Sequence, residues 1–121
     1  MERDQFEAMP GRQRRIFAER EYLRVAKKLL AELHERDVYH DHLGLLCETH
    51  HLWSRSLCPL WYIFQRENLR PISNPLHRII HTRSPSNMLE TELQIYNEMN
   101  EIKEKLIKEN EQWQTNQKTG I

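Results

Sequence analysis

From Arg12 to about Val38, Ile16, Tyr22, Leu23, Ala26, Leu29, Leu30 and Leu33 recur at intervals of three and four, with charged residues between them. That period predicts an amphipathic α-helix of about seven turns. Glu32 and Arg36 add an i,i+4 pair on its polar side. A helix this long is more than a small core needs, so part of it is expected to lie against a partner. Residues 1–11 read as a flexible or partner-ordered leader closed by Met9-Pro10-Gly11.

A second long pattern covers about residues 86–114. Met88, Ile95, Met99, Ile102, Leu106 and Trp113 follow an approximate a/d series, which Glu92 and Glu109 break. Leu89, Leu93 and Tyr96 widen the apolar face near the start. Such a helix is expected to pack into its own domain first and then project along a partner. Glu101 with Lys105, and Glu104 with Lys108, support it on the solvent side. A polar, flexible tail is expected from Thr115 onward.

The middle of the chain has less regular spacing. Asp41 can cap a helix over residues 42–54, in which Leu43, Leu46, Cys47, His50 and Trp53 fall near one face, although Gly44 and Thr49 disfavour it. Ser56 to Pro59 makes a break, and a short helix is expected from Leu60 to Asn68. Trp61, Tyr62 and Phe64 cannot share one narrow stripe, so that segment should be packed on more than one side. A strand is the alternative there, given the strand propensity of Trp-Tyr-Ile-Phe. Asn74-Pro75 can start another small turn of helix to about His81, and Thr82 to Asn87 is a connector. Ser84-Pro85 or Asn87 can then start the final helix, with Glu90 completing a capping box. The expected fold is all-α: a single helical domain over residues 12–114 with projecting terminal helices, and a flexible tail at 115–121.

Composition narrows the function classes. A chain of 121 residues supports one modest core, and three Gly with five Pro leave few ready-made turns for a many-stranded sheet. The formal charge is zero, with 18 basic and 18 acidic residues, which removes the general electrostatic argument for nucleic acid binding. The charge is unevenly placed: residues 88–121 carry four Lys/Arg against seven Asp/Glu, and the middle, 41–87, holds five of the seven His. Leu43 to Phe64 is the most apolar stretch, but Glu48, His50, His51 and Arg55 interrupt it, so no membrane span is expected. Two cysteines are too few for a secreted disulfide framework, and no apolar run follows Met1. An intracellular protein is expected, with cytoplasm, nucleus and organelle matrix undistinguished.

Three groups of residues carry candidate chemistry. Cys47, His50 and Cys58 are weak candidate metal ligands, with His40, His42, His77 and His81 as further contacts. Their spacing matches no paired Cys-x₂₋₄-Cys knuckle, and the plainer reading makes the cysteines small core residues and the histidines surface ones. Cys47 beside His50 or His51 lacks the orienting group and oxyanion donors that a nucleophilic site needs, and no nucleotide-binding glycine motif occurs. Arg20, Arg24 and Lys28 repeat at i,i+4 and form a candidate phosphate-contacting edge, although Glu19, Glu21, Glu32 and Glu35 interleave. Ser84, between Arg83 and Pro85, is a candidate phosphorylation site whose plainer role is a cap.

The third group points to protein binding. Tyr22, Leu29, Leu33, Ile95, Met99, Ile102, Leu106 and Trp113 are expected to form the contact surfaces of the first and last helices, with Trp113 as an interface anchor. The expected function is a non-enzymatic helical adaptor or structural subunit that binds one or more protein subunits and needs no cofactor. A small nucleic-acid-associated protein using the basic first helix is the alternative, followed by a zinc-stabilised module. Self-association is left open, because antiparallel pairing and dimerisation share this pattern.

Overall fold

The computed structural model of the protein describes residues 1–36 and 39–119. Along the chain run α1 (Arg3–Glu7), α2 (Gly11–Glu35), β1 (Leu46–His51), α3 (Leu60–Ile63), a 3-10 turn at Arg66–Asn68 and β2 (Leu69–Ser73). They are followed by α4 (Asn74–Thr82), a second 3-10 turn at Pro85–Asn87, and α5 (Glu90–Thr119). No helix among the described residues is long and apolar enough to cross a membrane.

The all-α expectation is corrected by a two-stranded antiparallel sheet. β1 occupies the segment expected to be a second helix. It pairs His51 with Leu69, Thr49 with Pro71 and Glu48 with Ile72, and the register shifts between Leu46 and Glu48. The three- and four-residue spacing of Leu43, Leu46, Cys47, His50 and Trp53 was therefore incidental. The competing signal, Gly44 and β-branched Thr49, prevailed once a partner strand was in reach. In a sheet of two strands both are edges, so Pro71 is tolerated without its N–H donor.

Asp41 does not cap a helix. Its Oδ1 accepts the N–H groups of Leu43 (2.9 Å) and Gly44 (3.0 Å), closing the turn that feeds β1, and its Oδ2 accepts the N–H of Ser73 (2.8 Å) at the end of β2. Burial pushes this carboxyl upward, but the three backbone donors outweigh it and hold the group below the usual aspartate range. Gly44 runs close to β2, where an added Cβ would lie 3.4 Å from the Cβ of Ser73.

The expected flexible leader contains α1. Phe6 is fully buried and packs against Phe17, Trp61 and Phe64, with ring centroids 5.3 to 5.9 Å apart. Arg3 donates to Tyr62 Oη (3.3 Å) and Asn110 Oδ1 (2.8 Å), which ties the N-terminus to α5. The helix expected over residues 60–68 stops at Ile63, because the chain turns through Gln65 into the 3-10 turn. Trp61 and Phe64 face the Phe6 cluster, whereas Tyr62 packs on Trp53.

Asn68 holds this junction. Its buried side chain accepts the N–H of Trp53 (2.6 Å) and donates to the carbonyls of Trp53 (3.1 Å) and Tyr62 (3.0 Å). α4 begins beyond β2 with Ser73 Oγ accepting the N–H of Leu76 (3.3 Å) and Pro75 in the first turn, where its missing donor is harmless. Ser84 and Pro85 open the second 3-10 turn and not α5.

α2 follows its expected course from Gly11 to Glu35; the expected extension to Val38 lies outside the described residues. α5 starts later than expected and remains helical to Thr119, through the first part of the expected flexible tail, of which residues 120 and 121 lie outside the described residues. The two acids that break its apolar series each meet a polar partner. Glu92 is buried, with Oε2 3.5 Å from His42 Nε2, and Glu109 accepts the Tyr62 hydroxyl at 3.2 Å. Burial, with the carboxylate beside it, raises the Tyr62 phenol to about 12.

Candidate functional site

Two surface features carry functional potential, and both involve α2 or the sheet it covers. On an α-helix successive side chains turn by about 100°, so Arg12, Ile16, Arg20, Leu23, Lys27, Leu30 and His34 all fall within about 40° of a line through Ile16. No acidic residue lies in that set. Ile16 is 50% exposed and Leu23 67% exposed, and Arg12, Arg20 and Lys27 stand exposed beside them. Leu45, Leu57 and Leu89, outside α2, are also exposed, and single surface leucines are ordinary.

The opposite face of α2 packs inward. Ala18 is fully buried, Leu29 is 7% exposed, and Phe17 meets Phe64 edge to face at 5.6 Å. Tyr22 stacks on His51 at 4.9 Å, shares a hydrogen bond with Thr49 Oγ1 (3.2 Å), and lies under the Arg55 guanidinium, which is itself paired with Glu19.

Of the eight residues expected to form contact surfaces, three are buried within the chain and four are half-buried. Leu29, Met99 and Leu106 are buried. Tyr22, Leu33 and Ile95 are half-buried, and Ile102, at 36%, is the most exposed of the set. Trp113 is engaged from within: the Arg3 guanidinium lies 3.9 Å from its ring centroid. The exposed large apolar positions of α2 are Ile16 and Leu23, which the three- and four-residue pattern contained but did not separate from its inward neighbours.

In the candidate phosphate edge, Arg24 is paired with an acid. Arg24 makes two hydrogen bonds to Glu21 Oε2 (2.6 and 3.1 Å). Arg24 and Lys28 line a depression that they share with Glu21 and Glu67, and Arg20 belongs to the outer face with Ile16 and Leu23.

The second feature is a groove of about 470 Å³ between β1, α4 and α5. His50 enters it from β1, and His77 and His81 enter one turn apart from α4. The three rings lie 4.5 to 5.1 Å apart, and His77 Nε2 is 2.8 Å from His81 Nε2. His77 Nδ1 is 2.6 Å from Glu48 Oε2. With its amide nitrogen turned to that carboxylate, Asn74 donates to both oxygens of Glu48 (2.7 and 3.1 Å). Tyr96, Asn100 and Lys103 of α5 line the other side.

Burial lowers His50 to about 4, assisted by the positive fields of His77, His81, His51 and Arg70. His51 is lowered mainly by burial, against the opposing effect of the Ile63 carbonyl 3.0 Å from its Nε2. The cysteines stand outside the histidine cluster. Cys47 is exposed, Cys58 is half-buried and pushed up to about 11 by burial, and both are free thiols. The His77-x₃-His81 spacing on a predicted helix was the available signal for this cluster. Its third member could be placed beside that helix only with β1 in place.

Compared with known protein families, with curated proteins and with solved structures, the chain matches none.

Proposed function

We propose that this protein is a non-enzymatic helical adaptor, or a structural subunit of a larger assembly, that docks an acidic amphipathic helix of a partner protein on the outer face of α2. The observation that carries this reading is the pairing of exposed Ile16 and Leu23 with an acid-free set of cations, Arg12, Arg20 and Lys27. Seven-residue spacing of the apolar positions matches the stripe of a second helix, and the flanking cations select carboxylates on either side of it. The inner face of α2 and the sheet beneath it supply a platform that holds the outer face in place. An intracellular setting belongs to this reading and is supported by the two free thiols.

The test is charge reversal with the full chain. Replacing Arg20 and Lys27 together by Glu should abolish capture of the partner, while circular dichroism remains helical. Replacing the facing acids of the partner's helix by Lys should restore it. Retention of the partner by the reversed chain counts against the reading. A bound species removed by nuclease supports the nucleic acid alternative instead.

A further inference from the structure

We propose that His50, His77 and His81 form a three-imidazole site for a divalent transition-metal ion, zinc foremost, with Glu48 as the carboxylate that orients one of the ligands. One candidate nitrogen from each residue lies within 4.8 Å of the others. A tetrahedral ion with metal–nitrogen bonds of about 2.0–2.1 Å needs nitrogens about 3.3–3.4 Å apart. His77 and His81, at 2.8 Å, must therefore open slightly, and the widest pair must close by up to about 1.4 Å. Rotation of exposed His81 about its side-chain bonds supplies part of that adjustment.

The surrounding groups favour ligation over simple ring packing. His77 and His81 lie at i,i+4 on α4, the spacing that turns two imidazoles to the same side of a helix. Nδ1 of His77 faces the Glu48 carboxylate, which places the proton on Nδ1 and leaves the Nε2 lone pair directed at His81. A carboxylate on the far nitrogen of a metal-bound imidazole is the usual outer support of such ligands, and Asn74 fixes that carboxylate in turn. Three neutral nitrogens suit zinc, copper and nickel and offer little to magnesium or calcium, which favour oxygen. The ion would join β1 to α4 and keep a coordination position open toward the groove lined by Tyr96, Asn100 and Lys103.

The experiment is titration of the metal-free full chain with zinc chloride by calorimetry, with thermal unfolding followed in parallel. The expected result is one equivalent bound and a higher unfolding temperature with zinc but not with magnesium. His81→Asn, at an exposed position, should reduce zinc affinity at least 100-fold without changing the metal-free unfolding temperature, and His50→Gln should do the same to affinity. Glu48→Gln should weaken binding 10- to 100-fold and leave the stoichiometry at one. Replacement of both cysteines by Ser should leave zinc binding unchanged. Absence of stoichiometric zinc binding overturns the site. So does binding that survives His81→Asn with unchanged affinity, or that disappears with the cysteines.

Discussion

The two faces of α2 use the same kinds of residue to opposite ends. Leu29 on the inner face is 7% exposed, and Leu23, less than two turns away on the outer face, is 67% exposed. The inner face meets a platform made by α3, the 3-10 turn and β1 through rings and aliphatic chains, with the Tyr22 hydroxyl satisfied by Thr49, and ion pairs of Glu19 with Arg55 and Glu32 with Arg66 close its margins. The outer face leaves Ile16 and Leu23 in water among Arg12, Arg20 and Lys27, and only toward its C-terminal end does it meet the rest of the described chain, where His34 packs on Tyr39. The hydrophobic effect acts on area removed from water, so identical leucines contribute differently according to what the rest of the fold places opposite them.

The largest expected effects belong to the platform. Asn68→Ala removes the three hydrogen bonds of a buried side chain and strands the polar groups that made them, with an expected loss of about 3 kcal/mol in urea unfolding. A loss under about 1 kcal/mol would show that the inner face does not depend on this junction.

The comparison itself is sharpened by truncating the two leucines. Leu29→Ala should cost about 2–3 kcal/mol through lost burial and a residual cavity, whereas Leu23→Ala should change stability by no more than about 0.5 kcal/mol. Similar losses at both positions would break the distinction between the faces.

A smaller, pH-dependent effect is expected at Asp41. Because its folded-state pKa lies below the unfolded value, its contribution is present above the ordinary aspartate range of about 4 and is lost as pH falls through the lower folded value. Asp41→Asn should therefore flatten the decline in stability below about pH 4, and at pH 7 should be less stable than the native chain by about 1 kcal/mol. An unchanged acid profile would remove Asp41 from the account of the turn.

How much of this was legible in the residues depended on whether the deciding contacts were local. The course of α2 and most of α5 follow from apolar spacing alone, and Asn74-Pro75 marks the start of α4 by first-turn chemistry that needs no tertiary partner. β1 was not legible, since its pairing joins segments some twenty residues apart and its spacing imitated a helix. Phe6 was missed because one aromatic in a charged leader has no period, yet it fills the space between Phe17, Trp61 and Phe64. Glu92 and Glu109 read as defects in a stripe because their partners, His42 and Tyr62, come from distant segments. For the candidate sites, the sequence contained the outer stripe and the His77/His81 pair, but the choice of which leucines face water required the platform to be built.

The most direct measurement replaces Leu23, and separately Lys28, by a photoreactive benzophenone amino acid, irradiates the full chain in its native extract and maps the adducts by mass spectrometry. Lys28 is also exposed but lies about 120° around the helix from Ile16, so it reports on proximity without contact. The account predicts adducts at position 23, well above those at position 28, that map to an acidic amphipathic helical segment of another protein. Equal yields at the two positions, or adducts that map to this chain itself or to nucleic acid, would contradict it.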